Sequence, residues 1–233
     1  MRILIATVTA GGGHLAAAAA LDEAWRGLRP KDVVERVDLV KFFSPLHRKI
    51  HADGYVKLVA RAPELWGMIF TKTDNLKAAR QLNRIQALFP SRARRRFAHF
   101  VDQFKPDAVL CTHYEPVDAL GQLRRQEKVK SPFVVSIVTD FEAHALWMDA
   151  DVDLYCVAAE ETKARLVARG VVAGNVVATG IPIAAKFAAK VDARAFRKTM
   201  GLRDDMPTLL VLSGGFGMGP VRKNSRGTGP GGT

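Results

Sequence analysis

Three glycines run into a histidine at Gly11, Gly12, Gly13 and His14, between the apolar run RILIATVT (residues 2–9) and the alanine-rich stretch LAAAAAL. Glycines after a strand let the backbone approach a ligand closely and take up positive φ. The amino terminus of a following helix favours negative charge. An imidazole placed there, with an ordinary pKa of about 6.5, can accept a hydroxyl proton at neutral pH. The helix terminus also tends to lower that pKa and keep the ring neutral. The pattern is neither GxGxxG nor a P-loop, since no Lys-Ser/Thr follows. The competing reading is a tight turn in which His14 only packs.

Three further stretches carry chemistry-bearing residues. TDFEAHALW brings Asp140, His144 and Trp147 together after an apolar run. Asp140 reads as an orienting or capping carboxylate. His144 is either structural or ligand-facing, and Trp147 either core or facing a lipid or sugar. His113, Asp140 and His144 show no diagnostic ligand spacing, so no metal is expected. SGGFGMGP offers Ser213, Gly214, Gly215, Phe216, Gly217, Met218 and Gly219, whose backbone N–H groups suit a diphosphate cradle or, alternatively, a plain turn. The fourth feature is charge. The chain of 233 residues carries a formal +12, and residues 41–100 hold 13 Lys or Arg against three acids, Asp53, Glu64 and Asp74. Lys57, Arg61 and Lys72 interleave there with Leu65, Trp66 and Phe70. Basic groups mixed with large apolar ones suit an anionic membrane surface. Nucleic acid is not the expected partner, because no RNP, KH, zinc-finger or helix-turn-helix signature is present.

The elements that must position these residues alternate. Apolar runs at 2–9, 33–38, 108–112, 133–138, 154–157, 176–179 and 208–213 read as strands. Helical segments are expected at 14–28, at 159–169 with Gly170 as its stop, and at 193–200. Short strands alternating with helices imply an α/β fold, a Rossmann-like parallel sheet covered on both faces. Ligands in such sheets bind at the carboxyl ends of strands, which is where AGGGH, THYEP, TDFEAH, GIP and GGFGMGP fall. Residues 41–105 interrupt the alternation as a basic amphipathic insertion. Helical spacing is expected over 74–89, from Leu76, Ala79, Leu82, Ile85 and Phe89, and over 91–104, from Phe97, Phe100, Val101 and Phe104. The two cysteines, Cys111 and Cys156, lie in apolar runs and read as buried free thiols. No secretory leader or membrane-spanning run is evident, so a cytoplasmic protein, soluble or peripheral, is expected.

Five blocks, TAGGGHLAAAAAL, AVLCTHYEPVDAL, VVSIVTDFEAHALWMDADVDLYCVAAEE, VVATGIPI and LLVLSGGFGMGP, occur in an order that resembles the monogalactosyldiacylglycerol synthase and processive diacylglycerol glucosyltransferase family. The resemblance covers nearly the whole chain up to Pro220. It implies the amino-terminal half of a GT-B fold, with residues 1–200 as the lipid-acceptor domain and 201–221 as the start of a donor-binding domain. It implies inverting transfer of a hexose from a UDP-sugar to diacylglycerol, with no cofactor, at the inner face of the cell membrane. His14 then matches the base, Gly11–Gly13, Asp140, His144 and Trp147 the acceptor side, and 213–219 the donor loop. In the family a further Rossmann-like half follows, whereas residues 222–233 (RKNSRGTGPGGT) can form no packed element. The expectation is a truncated acceptor part, inactive alone. Two alternatives stand beside it: a non-catalytic lipid-binding module, and a glycosyltransferase acting on a peptidoglycan-precursor lipid.

Overall fold

The computed structural model describes residues 1–9, 12–45, 48, 63–75, 92–125 and 132–212. Among them are six strands: β1 (Arg2–Thr7), β2 (Val33–Asp38), β3 (Ala108–Cys111), β4 (Phe133–Ile137), β5 (Leu154–Val157) and β6 (Val176–Ala178). All pair in parallel, in the order β2-β1-β3-β4-β5-β6. The helices are α1 (Gly12–Leu28), α2 (Pro63–Thr73), α3 (Arg92–Phe104), α4 (Tyr114–Arg125), α5 (Glu160–Ala168) and α6 (Ala193–Thr199). The expected Rossmann-like α/β sheet is therefore the observed one. Because β1 lies between β2 and β3, successive connections leave it in opposite directions. That makes the β1/β3 boundary the topological switch point, where a crevice opens beyond the strand ends.

The period-two alternation of β1 divides the core. Ile3 and Ile5 face α1 with Ala18, Val34, Leu110 and Val135. Leu4 and Ala6 face the other side with Val37, Val109, Phe97, Val101 and Leu120. Both faces of a central parallel strand are covered, so it reads as a continuous apolar run. The alanines of α1 have a specific consequence. Ala17, Ala18 and Ala20 are buried, and side chains this small let the helix lie close over the sheet. In α3, Ala93, Phe97 and Val101 are buried while Arg95 and Arg96 are exposed, which gives the expected amphipathic helix. Arg94 reaches inward instead and bonds Asp118 and Gln122 of α4 at 3.2 and 3.1 Å. At the end of α5, Gly170 takes φ +98°. Its N–H meets the Val167 carbonyl at 2.9 Å, and the Val171 N–H meets that of Leu166 at 3.1 Å. This is a Schellman closure, which requires a residue that tolerates the left-handed region.

Two expectations change. Residues 208–212 form no strand: Leu209, Leu210 and Leu212 are 71–79% exposed. A β-run must pair its N–H and C=O groups with a neighbouring strand, and no strand is found among the described residues from 185 to 212. Cys111 is buried as expected, but Cys156 is only half-buried. The helix expected at 74–89 falls mainly on residues outside the described set, as does the tail 222–233. The chain divides into two compact units, Met1–Ala184, which contains the whole sheet, and Ala185–Thr233. No helix among the described residues is long and apolar enough to cross a membrane.

Phe97 is the side chain that fastens α3 to the sheet. Phe97→Ala is expected to lower unfolding free energy by about 3–5 kcal/mol in urea titrations. Arg95→Ala, on the exposed face of the same helix, should stay within about 0.5 kcal/mol of the parent.

Candidate active site

The candidate site lies at the β1/β3 switch point. His14, in the first turn of α1, stands beside Thr112 and His113, which follow β3, and Thr139 and Asp140, which follow β4. Its Nδ1 is 2.9 Å from the Thr112 carbonyl oxygen and 2.8 Å from the Thr139 hydroxyl. A carbonyl oxygen can only accept, so Nδ1 carries the proton. In the neutral ring the lone pair then sits on Nε2, which makes no hydrogen bond among the described residues. The Thr112 hydroxyl holds the same residue from its backbone, donating to the His14 carbonyl at 3.0 Å while lying 2.9 Å from the Thr7 hydroxyl. One threonine thus orients both ring and main chain of His14, an arrangement in which a base is aimed by a third group.

Aromatic rings wall this imidazole. His113 meets it edge-on at 4.7 Å between centroids, and His113 stacks on Tyr114 at 4.2 Å. The Trp147 ring lies 6.2 Å away, and its indole N–H donates to Asp140 at 2.9 Å. Burial lowers the pKa of His14 below its ordinary 6.5, while the Asp140 charge and the Thr112 carbonyl both raise it. The ring is therefore neutral at pH 7, as anticipated, although burial rather than the helix terminus is the main cause. The Asp140 carboxylate favours the imidazolium that forms when Nε2 takes a proton.

The remaining expected residues fall as follows. Trp147 is 1% exposed and belongs to the main core. His144 is buried; its Nδ1 accepts the Leu146 N–H at 3.1 Å, and its Nε2 lies 3.3 Å from the Thr73 hydroxyl. It thereby caps the 3-10 turn Ala145–Trp147. Gly12 and Gly13 open α1, and a Cβ at Gly13 would meet nothing within 4 Å. Gly11 and the loop Ser213, Gly214, Gly215, Phe216, Gly217, Met218 and Gly219 lie outside the described residues. So do Lys57, Arg61 and the side chains of Trp66 and Phe70. Leu65 and Lys72 are exposed on α2, with Met68 between them. Their spacing of i, i+3 and i+7 puts the three on one helical face.

Thr112, Thr139 and Tyr114 escaped the sequence reading, and His113 entered it only as a metal ligand. The available signal was position: each lies within three residues of the carboxyl end of β3 or β4. Asp38 also escaped it. In a dinucleotide-binding unit an acid at the end of the second strand holds the ribose. Here Asp38 accepts from the Thr9 N–H at 3.2 Å, from the Thr9 hydroxyl, and from the Val40 N–H at 3.0 Å. Its oxygens fix the start of the glycine loop instead.

The chain matches the family described as monogalactosyldiacylglycerol (MGDG) synthase over residues 14–183. It is 29% identical over 223 residues to processive diacylglycerol beta-glucosyltransferases of Bacillus cereus and Bacillus thuringiensis, covering 95% of this chain and 55% of each relative. It thus spans about half the length of the curated relatives it matches. A solved lipopolysaccharide outer core galactosyltransferase is similar at a TM-score of 0.45 and 14% identity, covering 77% of this chain and 45% of that one.

Asp140→Asn removes a charge that raises the His14 pKa, so the ring should titrate still further below 6.5 by NMR. The folded state then binds this proton more weakly than the unfolded chain does. Stability from this group falls as pH drops below about 6.5, and more steeply in the variant. An unchanged or raised midpoint would contradict the assigned charge coupling.

Proposed function

Since the chain belongs to the monogalactosyldiacylglycerol synthase family, we propose that it forms the acceptor side of a glycosyltransferase that moves a hexose from a UDP-sugar to diacylglycerol. The observation that carries this is His14: a neutral imidazole at the switch-point crevice, held through Nδ1 by Thr112, with Nε2 left to act. In the proposed step Nε2 takes the hydroxyl proton as the acceptor oxygen bonds to the anomeric carbon. The bond from that carbon to UDP breaks in the same displacement, its electron pair leaving on the diphosphate. Attack from the face opposite the leaving group inverts the centre. Asp140 stabilises the imidazolium, and the aromatic wall of His113, Tyr114 and Trp147 excludes water from it. The donor side, assigned to residues 213–219, and a GT-B partner half belong to this same proposal.

Acceptor binding can be read without turnover. Dioctanoylglycerol added to the chain should shift the ring resonances of His14 and His113 and leave exposed His99 where it is. Equal shifts at all three, or none, would count against an acceptor site here.

The same reading places the protein on the inner face of the cell membrane through the basic insertion. Leu65, Met68 and Lys72 present an exposed apolar and cationic face on α2. Flotation with phosphatidylglycerol vesicles should exceed that with phosphatidylcholine and weaken in salt. Lys72→Ala should cost about fivefold in affinity, from roughly 1 kcal/mol per cation near an anionic surface. Flotation independent of vesicle charge would remove the electrostatic part of this reading.

A further inference from the structure

The short turn that carries Trp147 to His14 is tied down from far away in the chain. Asp74, just after α2, accepts the Ala145 N–H at 2.8 Å. Arg169, at the end of α5, forks onto both Asp74 oxygens at 2.6 and 2.9 Å and also donates to the Ala143 carbonyl at 3.0 Å. Beside it the Thr73 hydroxyl meets His144 Nε2. Because His144 Nδ1 accepts the Leu146 N–H, Nε2 carries the ring proton and donates to Thr73. Residues 143, 144 and 145 are therefore all held from outside their own loop, two positions before the tryptophan. The fork is bidentate and charge-assisted, the arrangement that adds most geometric definition to a carboxylate–guanidinium pair.

The geometry points to Asp74 as a positioning residue for the acid–base site, with Arg169 as its clamp. Together they fix the 143–147 turn so that Trp147 both walls His14 and holds the Asp140 carboxylate beside it. The chain of contacts is continuous: Arg169 to Asp74, Asp74 to Ala145, Ala145 through the turn to Trp147, and Trp147 to Asp140 and His14. Asp74 is one of three acids in residues 41–100. It ends the helix whose Leu65, Met68 and Lys72 are exposed, so the clamp joins that helix to the site. Arg169 in turn holds the Asp74 carboxyl below its usual range, which extends the charged clamp to lower pH.

The inference rests on His14 as the base, but its test needs neither lipid nor sugar donor. The indole N–H of Trp147, assigned with Trp147→Phe, and the His14 ring are followed by NMR in the parent, Asp74→Asn and Arg169→Lys. Asp22→Asn, which breaks only the Asp22–Arg26 pair on α1, is the control. In Asp74→Asn the indole proton should exchange with solvent at least tenfold faster. The His14 midpoint should rise toward 6.5, because burial is the largest influence on that ring and outweighs any loosening of Asp140. Arg169→Lys keeps the charge but not the fork and should fall between parent and Asp74→Asn. It also decides the question alone if Asp74→Asn does not fold. A lower melting temperature with parent values for both Trp147 exchange and the His14 midpoint would make the clamp merely structural and overturn the assignment. Failure of diacylglycerol to bind would overturn the acceptor reading and leave this result standing.

Discussion

The bond from the His14 ring to the Thr112 carbonyl depends on nearly everything else in the sheet. It joins a residue after β1 to a residue after β3, so it exists only because these strands are neighbours, with Ile3 against Ala108 and Ala6 against Cys111. It also needs α1 close to the sheet, which its buried alanines permit. A leucine at Ala17 or Ala18 would have to push the helix outward and carry His14 with it. The same bond selects the tautomer. A buried imidazole left unpaired would be costly, and pairing through Nδ1 satisfies the ring while leaving Nε2 for chemistry.

Two opposing forces then set the character of that nitrogen. Burial disfavours the imidazolium, while Asp140 favours it. A base needs both, since it must be neutral before it reacts and tolerable when charged afterwards. The distance of the carboxylate decides the balance, and Trp147 controls that distance by donating its indole N–H to Asp140. A tryptophan that is wholly core by exposure therefore has an electrostatic role through the one polar atom it owns.

The strand pattern was legible because period-two alternation and parallel-strand apolarity are local signals. Every strand except 208–213 is found within two residues of its expected bounds. The observed strands β1, β3, β4 and β6 stop early because the chain turns away into the loops beyond the sheet end, and apolarity does not mark that turn. The run 208–213 misled because apolar composition says nothing about whether an edge is present to pair with. His14 and Asp140 stood out from residue type and position. Thr112, Thr139 and Asp38 did not, because a threonine or an aspartate after a strand is ordinary until the strand order shows what lies opposite. The Asp74–Arg169 clamp was beyond reach for the same reason: its partners are 95 residues apart, and one of them is among the few acids of a strongly basic insertion.

That insertion and the site divide the labour of charge. Several arginines packed against the sheet or its loops are matched: Arg124 with Asp153, Arg125 with Asp149 and Asp151, and, across to the insertion, Arg169 with Asp74, while the insertion's own Arg94 pairs with Asp118. Lys72, Arg95 and Arg96 form no ion pair among the described residues and face outward. The charge that presses on His14 is the negative one of Asp140. An anion-binding pocket built around His14 would invert this pattern, with cations turned inward and the imidazole charged. Under the proposed function a neutral hydroxyl is the acceptor this electrostatic arrangement suits, and Lys72, Arg95 and Arg96 stay exposed rather than turned toward His14.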